Sequence, residues 1–165
     1  MSGGVIRPSE FDIQSGATGD IFAGDVVKLA SGYVLQGGAT DAPLGVFYGV
    51  EYVQTDGEIV FSRKWPSGTS TLGSKNAKAY VYADPNIVYE AQFTGTPSQA
   101  DIGKVHTIST TAGDSNNNRS KEGVTTTTAS GIAKLVAYVD RPDNSANAQY
   151  ARGYFIFPAS VFGND

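Results

Sequence analysis

The chain has 165 residues, a formal net charge of −4, one histidine and no cysteine, so neither disulfides nor thiolate metal centres can hold it together. Its basic residues are scattered and outnumbered by acidic ones, which leaves out the basic footprint of a nucleic-acid binder. No run approaches the roughly 20 apolar residues of a membrane span, and MSGGVIRPSEFD lacks the apolar core of a signal peptide, so a soluble protein made in a cytoplasm is expected.

Twenty glycines with nine tyrosines and eight phenylalanines make a strand-and-turn composition, because aromatic and β-branched side chains suit pleated surfaces while glycine marks turns. An all-β fold follows. Residues 1–19 hold few consecutive apolar positions and read as an extended N-terminal arm, with residues 20–165 forming a single β domain. Within the arm, Val5, Ile6, Pro8, Phe11 and Ile13 are spaced as if to touch a partner; an edge segment tucked onto its own barrel is the other reading.

Regular structure is predicted to begin at Gly24–Leu29, turn at Ala30-Ser31-Gly32 and return through Tyr33–Gln36. Pro43–Val53 is too uniformly apolar for one wet face, and Gly45 and Gly49 within it suit bulges or bends. Glu58–Trp65 is the next strand. Ala77–Gly95 alternates on both sides of Asp84-Pro85-Asn86 and reads as a hairpin. Thr96–Gly103 reads as one capped helical turn, and Lys104–Ser109 as a strand. Thr110–Arg119 is the most polar segment, an exposed and mobile loop. Gly123–Ala129 suits an edge strand, while Ile132–Val139 and Tyr154–Phe157 alternate or run apolar as strands. The sum is a small antiparallel β-barrel or β-sandwich of about nine or ten short strands with one short helical turn.

Chemical motifs are sparse. His106 reads as a surface or cross-strand histidine, since neither a nucleophile nor an orienting partner accompanies it. The nucleophile elbow, phosphate loop, zinc-protease and EF-hand patterns do not occur, so neither an enzyme nor a cofactor or metal protein is expected. The aspartates, Asp25 among them, sit almost all at turn positions beside Gly, Pro or Asn, as turn propensity alone dictates. Asp140, Asp143 and Asn144 offer oxygens for calcium but in no defined spacing. Asn118-Arg119-Ser120 matches the glycosylation sequon without a secretion signal to give it meaning. Trp65 with Tyr48, Tyr52, Tyr80 and Tyr82 suits either a binding platform or, as is commoner in small β proteins, the core.

Five pieces in order carry a resemblance. Gly24–Leu29 with Gly32–Val34, Pro43–Val50, Ala83–Asn86 with Tyr89–Gln92, Ala100–Lys104 and Leu135–Asn144 together resemble the capsid decoration (cement) proteins of tailed bacteriophages, over most of residues 24–157. The resemblance implies a structural virion protein that binds the outer surface of the capsid, bridges major capsid protein subunits and stabilises the shell, often as a homotrimer. It transfers no catalytic residues. Capsid contact is then expected from Val5, Ile6, Pro8, Phe11 and Ile13, together with one barrel edge. A carbohydrate- or receptor-binding β module of a tail or head fibre is the alternative, and an exposed aromatic cluster near Trp65 would speak for it.

Overall fold

The computed structural model describes residues 6–163. Twelve strands follow in order: β1 (Ser9–Ile13), β2 (Ile21–Phe22), β3 (Val26–Ala30), β4 (Tyr33–Gln36), β5 (Gly45–Val53) and β6 (Ile59–Ser62). The second half supplies β7 (Lys64–Trp65), β8 (Ala77–Tyr82), β9 (Tyr89–Gln92), β10 (Val105–His106), β11 (Ala133–Tyr138) and β12 (Arg152–Ile156). The only helical elements among the described residues are short 3₁₀ turns at Leu72–Ser74 and Gln99–Asp101, so the chain is all-β.

Five strands close into a barrel. Around the ring β3 pairs with β4, β4 with β1, β1 with β8, β8 with β5, and β5 returns to β3 through Val26↔Val46 and Val27↔Gly45. The β1–β4 pairing is parallel, an exception to the antiparallel scaffold that alternation alone suggests. Ser31 and Gly32 both take positive φ (52° and 84°), the geometry that a two-residue turn needs to join β3 and β4 with the right twist. Gly45 lies so close to the Tyr82 carbonyl that a Cβ would collide with it. A register shift between Phe47 and Gly49 opposite β8 makes the bulge expected there, turning Phe47 inward and Tyr48 out. Ile13, Val27, Val34, Leu44, Phe47, Ala79 and Val81 fill the interior, and Trp65 lies edge-on to Tyr52 with its indole N–H donating to the Ala17 carbonyl.

A second sheet, ordered β10-β11-β12-β9, packs Phe93, Leu135 and Phe155 into a second core. Val26 of the barrel joins that core, so β3 serves both layers. The predicted Ala77–Gly95 hairpin does not form. The turn at Pro85–Asn86 is present, but both edges of β8 are taken by β1 and β5, leaving β9 to pair with β12 in the other sheet. The Tyr89 hydroxyl donates to the Tyr82 carbonyl (2.7 Å) and ties that corner.

Further readings are corrected by the same pairings. Ser9–Ile13, within the stretch read as an arm, is a barrel strand paired with β4 and β8. Glu58–Trp65 splits at Arg63 because its end turns away to pair with β2. Gly123–Ala129 supplies only isolated bridges from Val124 to Phe93 and Ile108, the Thr125 hydroxyl accepting the Thr127 amide (3.1 Å) and meeting the Thr107 hydroxyl (2.6 Å). The polar loop folds back on itself through an Asp114↔Arg119 bridge. The helical turn stands where expected, with the Ser98 amide donating to the Asp101 carboxylate (2.7 Å) and Gly103 at φ 86°.

Truncation separates arm from strand. A chain lacking residues 1–8 should keep a cooperative urea transition and a β-type circular dichroism spectrum. Removing residues 1–19 deletes β1 and breaks two ladders at once, and should abolish that transition; cooperative unfolding of the shorter chain would contradict the closed ring.

Candidate functional site

The outer face of β5, β6 and β8 carries the most exposed large apolar side chains of the barrel. Inward-facing Val50 and Tyr52 alternate with outward positions, and on β6 both Ile59 and Phe61 point away from the core while Val60 packs against it. Ile59 is 60% and Phe61 72% exposed; Tyr48, turned out by the bulge, is 49% exposed. Pro8, Tyr48, Phe61, Arg63 and Tyr80 line a groove of about 430 Å³ across this face. Tyr48 leans edge-on against Tyr82 (5.5 Å between ring centroids), and Tyr80 donates its hydroxyl proton to Glu51 (2.9 Å), so the aromatic walls are braced. Beyond Tyr48 a second groove of about 410 Å³ is lined by Ala23, Arg63, Tyr82 and Arg119.

A different chemistry sits where barrel and second sheet meet. Asp25 is completely buried; its Oδ2 accepts from the Phe22 amide (2.8 Å), while Oδ1 has no hydrogen-bond partner. Glu122, carried in from the segment after the polar loop, accepts the Val26 amide on Oε2 (2.8 Å). Gln36 Nε2 donates to both acids, at 3.5 Å to Asp25 and 3.4 Å to Glu122. Burial pushes the Glu122 carboxyl up to about 8, helped by the neighbouring Asp25 charge and opposed by the Val26 amide and Gln36. Burial also raises Asp25, against the Ser120 hydroxyl and the Phe22 amide; the Ser120 hydroxyl lies nearby without hydrogen-bond geometry to Oδ1. Glu122 borders a cleft of about 180 Å³ whose other walls include Val26, Val46, Tyr89, Ile108, Phe155 and Phe157. Asp25 does not border it, so the two carboxyls do not flank a space that a substrate could enter. The arrangement is suited to holding a proton and stitching a loop to the barrel.

His106 lies in the second core, fully buried, edge-on to Phe93 at 5.3 Å, with no hydrogen-bond partner for either ring nitrogen. Of the two alternatives expected, this overturns the surface histidine; His106 stands in β10 opposite Ala133 of β11. Trp65 is wholly interior, so the platform built around it does not exist, although Tyr48, Tyr80 and Tyr82 do reach the outside. Asn144, considered as a calcium ligand, is a loop pin: it donates to the Val139 and Arg152 carbonyls and accepts the Arg152 amide. Among the described residues no three His, Cys, Asp or Glu side chains gather as metal ligands.

The residues expected to contact a partner scatter. Val5 lies outside the described residues. Ile6 is exposed and Pro8 lines the first groove. Phe11 is half-buried, packing on the barrel core and stacking on Phe162 (5.9 Å), while Ile13 is fully buried within the barrel and offers no surface. The residues that do shape the outer face, Ile59, Phe61, Arg63 and Arg119, were not singled out from sequence; Ile59 and Phe61 sit at alternate positions in a strand, and only tertiary packing tells which face is wet. Comparison with known protein families, characterised proteins and solved structures finds no match to this chain.

Two substitutions test the buried groups. A carboxyl held above its unfolded value stabilises fully below that value and loses its contribution as pH climbs, so stability should fall between pH 4.5 and about 8. Glu122→Gln should flatten this slope and raise stability by about 2 kcal/mol above pH 8, read from urea midpoints; an unchanged slope would remove Glu122 from the account. His106→Leu should leave stability unchanged or raise it by about 1 kcal/mol, because it removes two unpartnered buried nitrogens, and a large loss would refute that reading.

Proposed function

We propose that this protein is a structural virion protein that decorates the outside of a tailed-phage capsid, bridging major capsid protein subunits through the β5–β6–β8 face. The observation that carries the proposal is the exposed pair Ile59 and Phe61 beside the Tyr48 groove, Phe61 at 72% being the most exposed large apolar side chain among the described residues. The ordered resemblance of five sequence segments to decoration proteins supports it from an independent direction. Binding that favours the assembled shell over separated subunits stabilises the shell by mass action. Repetition over many equivalent sites lets modest contacts suffice, and a homotrimer would present three such faces at once. Of the five residues expected to make contact, Pro8 alone is kept, joined by Tyr48, Ile59 and Phe61.

Purified protein mixed with empty expanded shells of the phage that encodes it should sediment with them at a fixed copy number and raise the temperature at which they rupture. Phe61→Ser and Ile59→Thr should lower occupancy at least about tenfold, with unfolding midpoints unchanged because both side chains are exposed. Wild-type protein left in the supernatant would overturn the proposal.

A further inference from the structure

Tyr48 stands between the two grooves of the outer face, and Arg63 borders both. The grooves are therefore two halves of one track, running from Pro8 past Tyr48 to Arg119. Of the five basic residues without an ion pair among the described residues, Arg63 and Arg119 border it and Arg7 adjoins it, while Lys75 and Lys134 lie elsewhere. Seven basic residues (Lys28, Lys64, Lys78, Lys104, Lys121, Arg141 and Arg152) are satisfied by the chain's own acids. Arg63 and Arg119 are exposed and form no ion pair among the described residues, and the same holds for Arg7, next to the groove-lining Pro8. The acids near the track are occupied: Glu51 accepts the Tyr80 hydroxyl, and Glu10 lies 3.7 Å from Lys78. A chain with 16 acidic and 12 basic residues thus keeps free guanidinium groups along its most aromatic surface.

Arginine beside tyrosine and phenylalanine is the composition of energetic centres in protein interfaces, because the planar fork reads carboxylates bidentately while the rings supply area at low entropic cost. Phosphate-backbone recognition would instead draw a broad basic field, which a molecule of net charge −4 does not offer. We infer that the track around Tyr48 binds an acidic peptide segment of a protein partner, its carboxylates met by Arg63 and Arg119 and its apolar side chains by Tyr48, Phe61 and Tyr80. The inference rests on the docking face proposed above and adds the chemistry of what docks there.

The test uses the full chain and two probes. In the first, a peptide of about ten residues alternating valine and glutamate is titrated into isotope-labelled protein. Amide shifts should move around Tyr48, Arg63 and Arg119, and an oligothymidylate of equal charge should produce none; perturbation by the oligonucleotide alone would overturn the inference. In the second, shell binding is measured between about 0.05 and about 0.5 M salt. R63Q/R119Q should bind at least about tenfold more weakly than wild type at the lower salt and lose most of its salt dependence, while R63K/R119K keeps the salt dependence. Wild-type affinity in the glutamine variant, with binding still lost in Phe61→Ser, would reject the arginine track and leave the docking face standing. Failure of wild-type protein to bind shells, with the peptide shifts intact, would reject the capsid partner and leave the acidic-peptide site.

Discussion

The short ladder between β3 and β5 is the constraint on which the molecule turns. It converts an open sheet into a ring, and it exists only because Gly45 lets the chain pass against the Tyr82 carbonyl. Once the ring is shut, the two sides of β5 have fixed fates. Phe47 and Val50 point into the barrel, and the irregularity between Phe47 and Gly49 throws Tyr48 outward to divide the surface grooves. Closure also removes edges. The remaining free edge of that sheet belongs to β6, a four-residue strand with exposed Ile59 and Phe61.

The junction between barrel and second sheet is held in an unusual way for a small β protein. Val26 shares its side chain with the second core, while its amide is capped by Glu122 from ninety-six positions further along the chain. Two carboxyls and one amide side chain in that seam leave Asp25 Oδ1 unpartnered. An uncompensated buried acid is costly, and the seam relieves part of that cost by keeping Glu122 in its protonated form near neutrality. Stability given up there is recovered in the two apolar cores on either side.

Much of the architecture was legible in the chain. The Ala30-Ser31-Gly32 turn, the strand after Pro43, the helical turn ending at Gly103 and the strands around Leu135 and Phe155 follow from alternation and turn chemistry, although the Pro43–Val53 run expected to be covered on both faces leaves its Tyr48 side open. What alternation does not encode is which strand finds which edge. Asp84-Pro85-Asn86 looks the same whether its arms pair or part, and they part because β1 and β5 had already occupied β8. Ile13 lies inside the barrel for the same reason, its alternation hidden in a five-residue strand amid glycine and serine. The outer face was less readable still: Arg63 and Arg119 are fifty-six positions apart in sequence and become neighbours of one groove only through the pairing of β2 with β7 and the bridge from Ala23 to Arg119. Glu122 carries no local signal at all, since its partners are backbone and side chain from β3 and β4.

The order of pairing bears on how the polypeptide acquires its shape. Strand β1 is made first, yet its ladder partners lie at Tyr33 and at Ala77–Val81, and β9 waits for Arg152–Phe155 near the far end. Contacts of such long sequence separation give a high contact order, which slows folding. A nascent chain therefore holds Ser9–Ile13 without its β8 ladder until Ala77–Val81 has been made, and β9 without its partner until Arg152–Phe155 follows.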